Sequence, residues 1–154
     1  MGNQKITYFT KDDENFADVF IKENLTFTCR VGGMKNSGDT VILLHGFPET
    51  SRMWHELIKV LSSNNYRVVA PDQRGYSQGA RPLKVGDYKI NKLTQDVVNL
   101  AHAFKANRFH LIGHDWGAAV GWVLSSMCKD KIITYSALSV PHLDAFSAVS
   151  YTHL

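Results

Sequence analysis

No run of five lysines or arginines occurs in the 154 residues, and 17 Lys and Arg against 14 Asp and Glu leave a net charge of only +3. That balance gives no electrostatic footing for nucleic acid or for an anionic membrane surface. Long apolar runs are missing too. The stretch from Val41 to Leu44 is far short of the ~20 residues that span a bilayer. The first residues, Met1-Gly2-Asn3-Gln4-Lys5-Ile6, lack the apolar core of a signal peptide, and Ile6 stands where a myristoylation pattern wants Ser or Thr. A cytoplasmic protein is the expectation. The two cysteines, Cys29 and Cys128, fit no metal or redox spacing and read as reduced thiols. Neither a Gly-x-Gly-x-x-Gly nor a Gly-Lys-Ser/Thr loop occurs, so no nucleotide cofactor is expected, and no metal either. What is present is ordinary for a globular domain: 44% hydrophobic and 20% charged residues. A chain of this length can bury roughly 68–70% of its unfolded surface.

The order of elements points to an α/β fold. The opening, Met1 to Asn15, is polar and reads as a loose lead-in. Phe16 to Ile21 and Leu25 to Val31 are rich in Phe, Val and Thr and predict a β-hairpin across Lys22-Glu23-Asn24. From Thr40 the pattern changes. Thr40 to Leu44 is apolar without alternation, as in a strand covered on both faces. Ser51 to Leu61 follows with apolar residues at Trp54, Leu57, Ile58 and Leu61, which is helical spacing with Ser51 as a cap. Arg67 to Ala70 predicts another strand, and Leu93, Val97, Leu100, Ala101 and Phe104 a second amphipathic helix. Phe109 to Ile112 predicts a third buried strand, Gly117 to Met127 a small-residue helix, and Ile132 to Leu138 a further strand. About six strands result. Such alternation implies a mostly parallel sheet with helices on both faces. Ligands of such sheets sit at the carboxyl ends of the strands.

The loops at those ends carry the chemistry. In Gly113-His114-Asp115-Trp116-Gly117, one reactive residue stands between a buried strand and a buried helix, with glycine two positions to either side. A side chain held at the apex of so tight a turn needs strained backbone angles and small neighbours. The loop His45-Gly46-Phe47-Pro48 follows the strand ending at Leu44, and Asp72-Gln73-Arg74-Gly75-Tyr76-Ser77 follows the one ending at Ala70. Plainer readings stand beside these. Asp115 could cap the following helix, His45 could brace its loop, and His114 could be structural. His110 and His114, four apart, straddle strand and turn and make a poor zinc pair. Trp54 and Trp122 read as core. Asp72 and Arg74 read as pins for their loop, with substrate orientation as a second reading of Arg74.

Taken together, the three motifs resemble the N-terminal half of an α/β hydrolase of the epoxide hydrolase and haloalkane dehalogenase branch, from about Phe16 to Phe146. The resemblance implies an α/β-hydrolase fold with Asp115 as the nucleophile of its elbow and the Phe47 and Trp116 N–H groups as oxyanion-hole donors. Phe47 is similar to epoxide hydrolases, whereas haloalkane dehalogenases more often place Asn there. An aspartate is ionised near neutrality and suits displacement at an alkyl carbon. Expected partners are thus a small electrophile, such as an epoxide, and water, through an alkyl ester on the enzyme. The alternatives are a haloalkane dehalogenase-like hydrolase and a non-catalytic binding module of the same fold. The family's cap, distal acid and histidine have no counterpart in this chain, and residues 147–154 continue no family pattern. The chain alone is therefore expected to be inactive and poorly soluble, with Ile132 to Leu138 as an exposed sheet edge. Oligomeric state is not legible.

Overall fold

The computed structural model describes residues 5–21, 24–142 and 144–145. Seven strands form one sheet in the order β1-β2-β3-β5-β4-β6-β7. They are β1 (Lys5–Lys11), β2 (Glu14–Ile21), β3 (Leu25–Gly32), β4 (Thr40–Leu44), β5 (Arg67–Pro71), β6 (Phe109–His114) and β7 (Ile132–Leu138). Strands β5, β4, β6 and β7 run parallel, while β1, β2 and β3 add antiparallel strands to the β5 side. This is the α/β architecture that the strand–helix alternation predicts.

The N-terminal segment corrects one expectation. Residues 5–11 are a strand, so the sheet has seven strands where the sequence suggests about six. β1 pairs with β2 from Lys5↔Phe20 to Lys11↔Glu14 across Asp12 and Asp13, both at positive φ. That is the backbone of a tight hairpin turn whose twist matches the strands. Six of its seven residues are exposed, so β1 rests mainly on backbone pairing, helped by Ile6 against the core and by Phe9 stacked on Phe16 at 5.3 Å. Glu14 forms an ion pair with Arg30, and its other carboxylate oxygen lies 2.8 Å from His55 Nδ1, which ties the hairpin to the first helix.

Strand β4 lies at the centre, buried along its whole length. Its alternate residues serve two cores. Val41 and Leu43 pack with Trp54, Ile58, Val68 and Ala70, under α1 (His55–Ser63). Ile42 and Leu44 pack on the opposite face with Val97 and Ala101 of α2 (Ile90–Ala103) and with Val120 and Leu124 of α3 (Trp116–Met127). A third cluster joins Val19, Phe27 and Cys29 of the hairpin to Leu100 and Phe104. Burial pushes the Cys29 thiol well above its ordinary pKa.

Two further differences are local. Ser51 does not cap α1. A 3-10 turn, Ser51–Trp54, comes first and is capped by Thr50, whose side chain accepts from the Arg52 amide. Ser51 is instead drawn inward, its N–H donating to Asp72 Oδ1 at 2.8 Å. Trp54 is core, 5% exposed, but Trp122 is only half-buried. Its indole N–H donates to the Val140 carbonyl at 3.1 Å, and its ring meets Tyr135 and His142 edge-on, so it anchors the chain leaving β7.

No residue of β7 is buried, and among the described residues nothing pairs with its outer edge. The uncharged run Ile132-Ile133-Thr134-Tyr135 is the kind of edge that recruits other chains. The chain is expected to self-associate in light scattering. Ser136→Lys, which places a charge on that edge, should shift it toward monomer; equal association of both forms would contradict this.

Candidate active site

The turn between β6 and α3 places one carboxylate at the carboxyl end of the sheet. Asp115 has φ +52° and ψ −120°, a region that costs a non-glycine residue about 1–3 kcal/mol. Surrounding contacts hold it there. Its N–H donates to the Leu138 carbonyl at 3.2 Å, and its own carbonyl accepts from Ala118 at 2.9 Å and Ala119 at 3.1 Å. The flanking glycines let backbone meet backbone. A Cβ at Gly117 would stand 2.3 Å from the Leu44 carbonyl oxygen, and one at Gly113 would stand 2.5 Å from the Gly117 carbonyl oxygen. Gly46 gives the carboxylate its room: a Cβ there would fall 2.4 Å from Asp115 Cβ.

Although Asp115 occupies the cap position of α3, its side chain makes no capping bond. It faces the β4 loop, where Oδ1 accepts from the Phe47 N–H at 2.9 Å. The Phe47 amide first, and the Trp116 amide second, hold the carboxyl below its ordinary pKa of 3.8. Of the two residues named from sequence as donors, Phe47 makes the hydrogen bond to this carboxylate, and the Trp116 amide acts on it only as a weaker influence on its pKa. Their side chains stand largely in solvent, 69% and 63% exposed, and make the surface around the carboxylate apolar.

The β4 loop is braced from beneath. His45 is fully buried, with Nδ1 2.9 Å from the Gly46 carbonyl and Nε2 accepting from the Gln73 N–H at 3.0 Å. The Gln73 side-chain amide returns a bond to the His45 carbonyl. With both nitrogens engaged by backbone, and with burial lowering its pKa, His45 is a neutral brace rather than a base. Its ring meets Tyr76 edge-on at 4.6 Å.

The loop after β5 is clamped as a unit. Arg74 donates from Nε and Nη2 to the two Asp96 carboxylate oxygens, both at 2.7 Å, and from Nη1 to the Asp87 carbonyl at 3.1 Å. Asp72 holds Ser51, as above, and Ser77 Oγ accepts from the Thr28 N–H at 3.0 Å. Asp72 and Arg74 thus pin the loop. Burial and then the Asp115 charge push the Tyr76 phenol above its ordinary pKa, which places it in that carboxylate's field. Sequence reasoning missed Asp96 and Gln73. Asp96 carried a signal: an acid three residues from Leu93 and four from Leu100 lies on the apolar stripe of α2 and needs a buried partner.

His110 and His114 share one strand, a correction to the strand-and-turn reading. They lie on the same face, about 13 Å apart at a strand's rise, too far to chelate one ion. His110 is bonded instead to Thr134 Oγ1 at 2.7 Å. Among the described residues no three His, Cys, Asp or Glu converge on a metal site, and no helix is long and apolar enough to cross a membrane.

Residues 39–146 match the model of the alpha/beta hydrolase fold family. The chain belongs to that family. Within it the likeness falls in the epoxide hydrolase branch, over the N-terminal part of those enzymes. Epoxide hydrolase A of Mycobacterium tuberculosis is 45% identical over 103 residues, which are 67% of this chain and 32% of the relative. The AB hydrolase superfamily protein YfhM of Bacillus subtilis is 38% identical over 116 residues, 75% of this chain and 41% of the relative. The crystal structure of an epoxide hydrolase from Vigna radiata superposes with a TM-score of 0.72 at 32% identity, covering 95% of this chain and 46% of that one. The chain thus spans less than half of the length of these relatives, from 32% to 46%.

Two outcomes follow from the site. The Asp115 carboxyl carbon should titrate below 3.8 by NMR. Because the folded pKa is the lower one, the stabilisation is present above the unfolded pKa and is lost as pH falls through the folded one. A midpoint above 3.8 would contradict the hold of the Phe47 amide on the carboxylate. Replacing Arg74 by Met should cost about 3–5 kcal/mol in denaturant unfolding, since it removes the guanidinium from a buried carboxylate. A cost under about 1 kcal/mol, the range of exposed pairs, would contradict the clamp.

Proposed function

We propose that Asp115 is the nucleophile of an epoxide hydrolase-type reaction carried out by the protein to which this stretch belongs. The observation that carries the reading is the Asp115 carboxylate, ionised and held on the Phe47 amide at the apex of a strained turn. A bond from the amide of another loop would be idle in a simple cap. It is what the second half of an ester-forming reaction needs.

In the first step Oδ2, the oxygen that Phe47 does not hold, attacks an epoxide carbon. The new Oδ2–C bond forms as the ring C–O bond breaks, and the ring oxygen leaves as an alkoxide that takes a proton from an acid. In the second step water adds to the Asp115 carboxyl carbon after losing a proton to a base. Negative charge then gathers on Oδ1, where the Phe47 and Trp116 N–H groups meet it, worth about 2.7–4 kcal/mol per donor. Collapse expels the diol with Oδ2 and leaves a water-derived oxygen in Asp115. His45 cannot be the base, because both its nitrogens are engaged. The resemblance to epoxide hydrolases assigns acid and base to groups downstream of β7. Phe47 offers a backbone N–H but no side-chain amide for a halide, which favours epoxides over haloalkanes.

A single turnover in heavy-oxygen water, with a form of the protein that carries those downstream groups, should place the label on the peptide containing Asp115. Label found only in the diol would show direct attack by water and would end the covalent reading. A chloroalkane turned over as fast as a styrene-type epoxide would end the preference for epoxides.

A further inference from the structure

Beside Asp115 lies an open hollow of about 260 Å³ that starts at Phe47 and Trp116 and runs between Tyr76, Tyr88, Leu93 and Val120. We propose that it receives the apolar substituent of the epoxide, so that Tyr76 and Tyr88 favour aryl substrates over short alkyl ones. This rests on the reading of Asp115 given above.

Position is the first argument. Phe47 and Trp116 line the hollow, Phe47 donates its N–H to Asp115 at 2.9 Å and Trp116 is the next residue in the chain, so a group seated there lies next to the carboxylate. Chemistry is the second. The polar groups in the wall are turned elsewhere: Arg74 to Asp96 and the Asp87 carbonyl, both His45 nitrogens to backbone, and the Gln73 amide to the His45 carbonyl. What faces the space is ring and aliphatic surface, which offers little to a polar head and suits an apolar arm. Size is the third. Pockets that enclose a whole small ligand run roughly 300–1,000 Å³, so this hollow holds one substituent and not a complete substrate.

The walls are also set in advance. Gly75 has φ +92°, and a Cβ there would press within 3.1 Å of the Tyr88 ring, so the ring lies flat on glycine backbone. The Tyr88 hydroxyl donates to the Pro82 carbonyl at 2.9 Å, and Tyr76 rests edge-on against buried His45. Aromatic walls fixed by other contacts lose little freedom when a ring enters between them.

The test measures binding with 1-phenylethane-1,2-diol, the product class of a styrene-type epoxide, by saturation-transfer NMR on the full chain. It needs no chemistry at Asp115, so a failed heavy-oxygen label with intact binding overturns the nucleophile and leaves the hollow standing. The phenyl diol should bind saturably, and ethane-1,2-diol should not. Leu93→Trp, which fills the hollow, should weaken binding at least tenfold. Tyr88→Ala, at a more exposed position, should weaken it at least threefold and serves if the tryptophan variant does not fold. Absent saturable binding, or binding unchanged in the folded variants, would overturn the proposal.

Discussion

The site depends on one constraint: strand β6 must turn into helix α3 with almost no backbone between them. Gly113 and Gly117 let the two elements touch, and Gly46 opens a space against the apex residue. Asp115 then takes a conformation it would not adopt alone, and its carboxylate is delivered to the Phe47 amide. The strain is local, but what holds it is the sheet. Leu44 ends the central strand β4, Leu138 ends β7 on the far side of β6, and both meet the turn through their carbonyls.

A second layer supports the first. The loop after β5 is folded by its own backbone turns, with Gly75 donating to Ala80 and Tyr76 to Gln73, both at 2.8 Å, and side chains fasten it to the rest of the fold. Arg74 fastens it to α2, Ser77 to β3, and Gln73 to the buried histidine under the β4 loop. The bidentate Arg74–Asp96 pair sits where a lone charge would be costly, so each partner requires the other. Through His45 and Gln73 the β4 loop and the β5 loop form one rigid floor beneath the carboxylate. Apolar side chains stand above it, in keeping with a substrate held by shape and a reaction driven by a few polar groups.

Much of this was legible in the sequence, for reasons that differ by element. Strand β4 reads correctly because burial on both faces demands an unbroken apolar run. The tight turn at Asp115 and the need for its flanking glycines were legible because sterics at such a turn leave few choices of residue. Strand β1 was not legible: an edge strand held mainly by backbone pairing and an Asp12-Asp13 turn needs little apolar pattern. The Ser51 cap was misplaced by one residue because the amide of Ser51 is claimed by Asp72, a contact between loops far apart in the chain. The partners of Arg74 and His45 escaped notice for the same reason, although Asp96 on an apolar stripe was a hint. The tail after residue 146 lies outside the described residues.

The central claim is that this turn makes Asp115, among all the carboxylates of the chain, the one that attacks an electrophilic carbon. Incubating the chain with a styrene-type epoxide and mapping its peptides by mass tests that most directly. One epoxide equivalent should appear on the peptide containing Asp115 and persist, since His45 beneath it is engaged at both nitrogens and the resemblance assigns the base to groups downstream of β7. The adduct should vanish in Asp115→Asn. An adduct spread over surface carboxylates, or one that survives that substitution, would contradict the account.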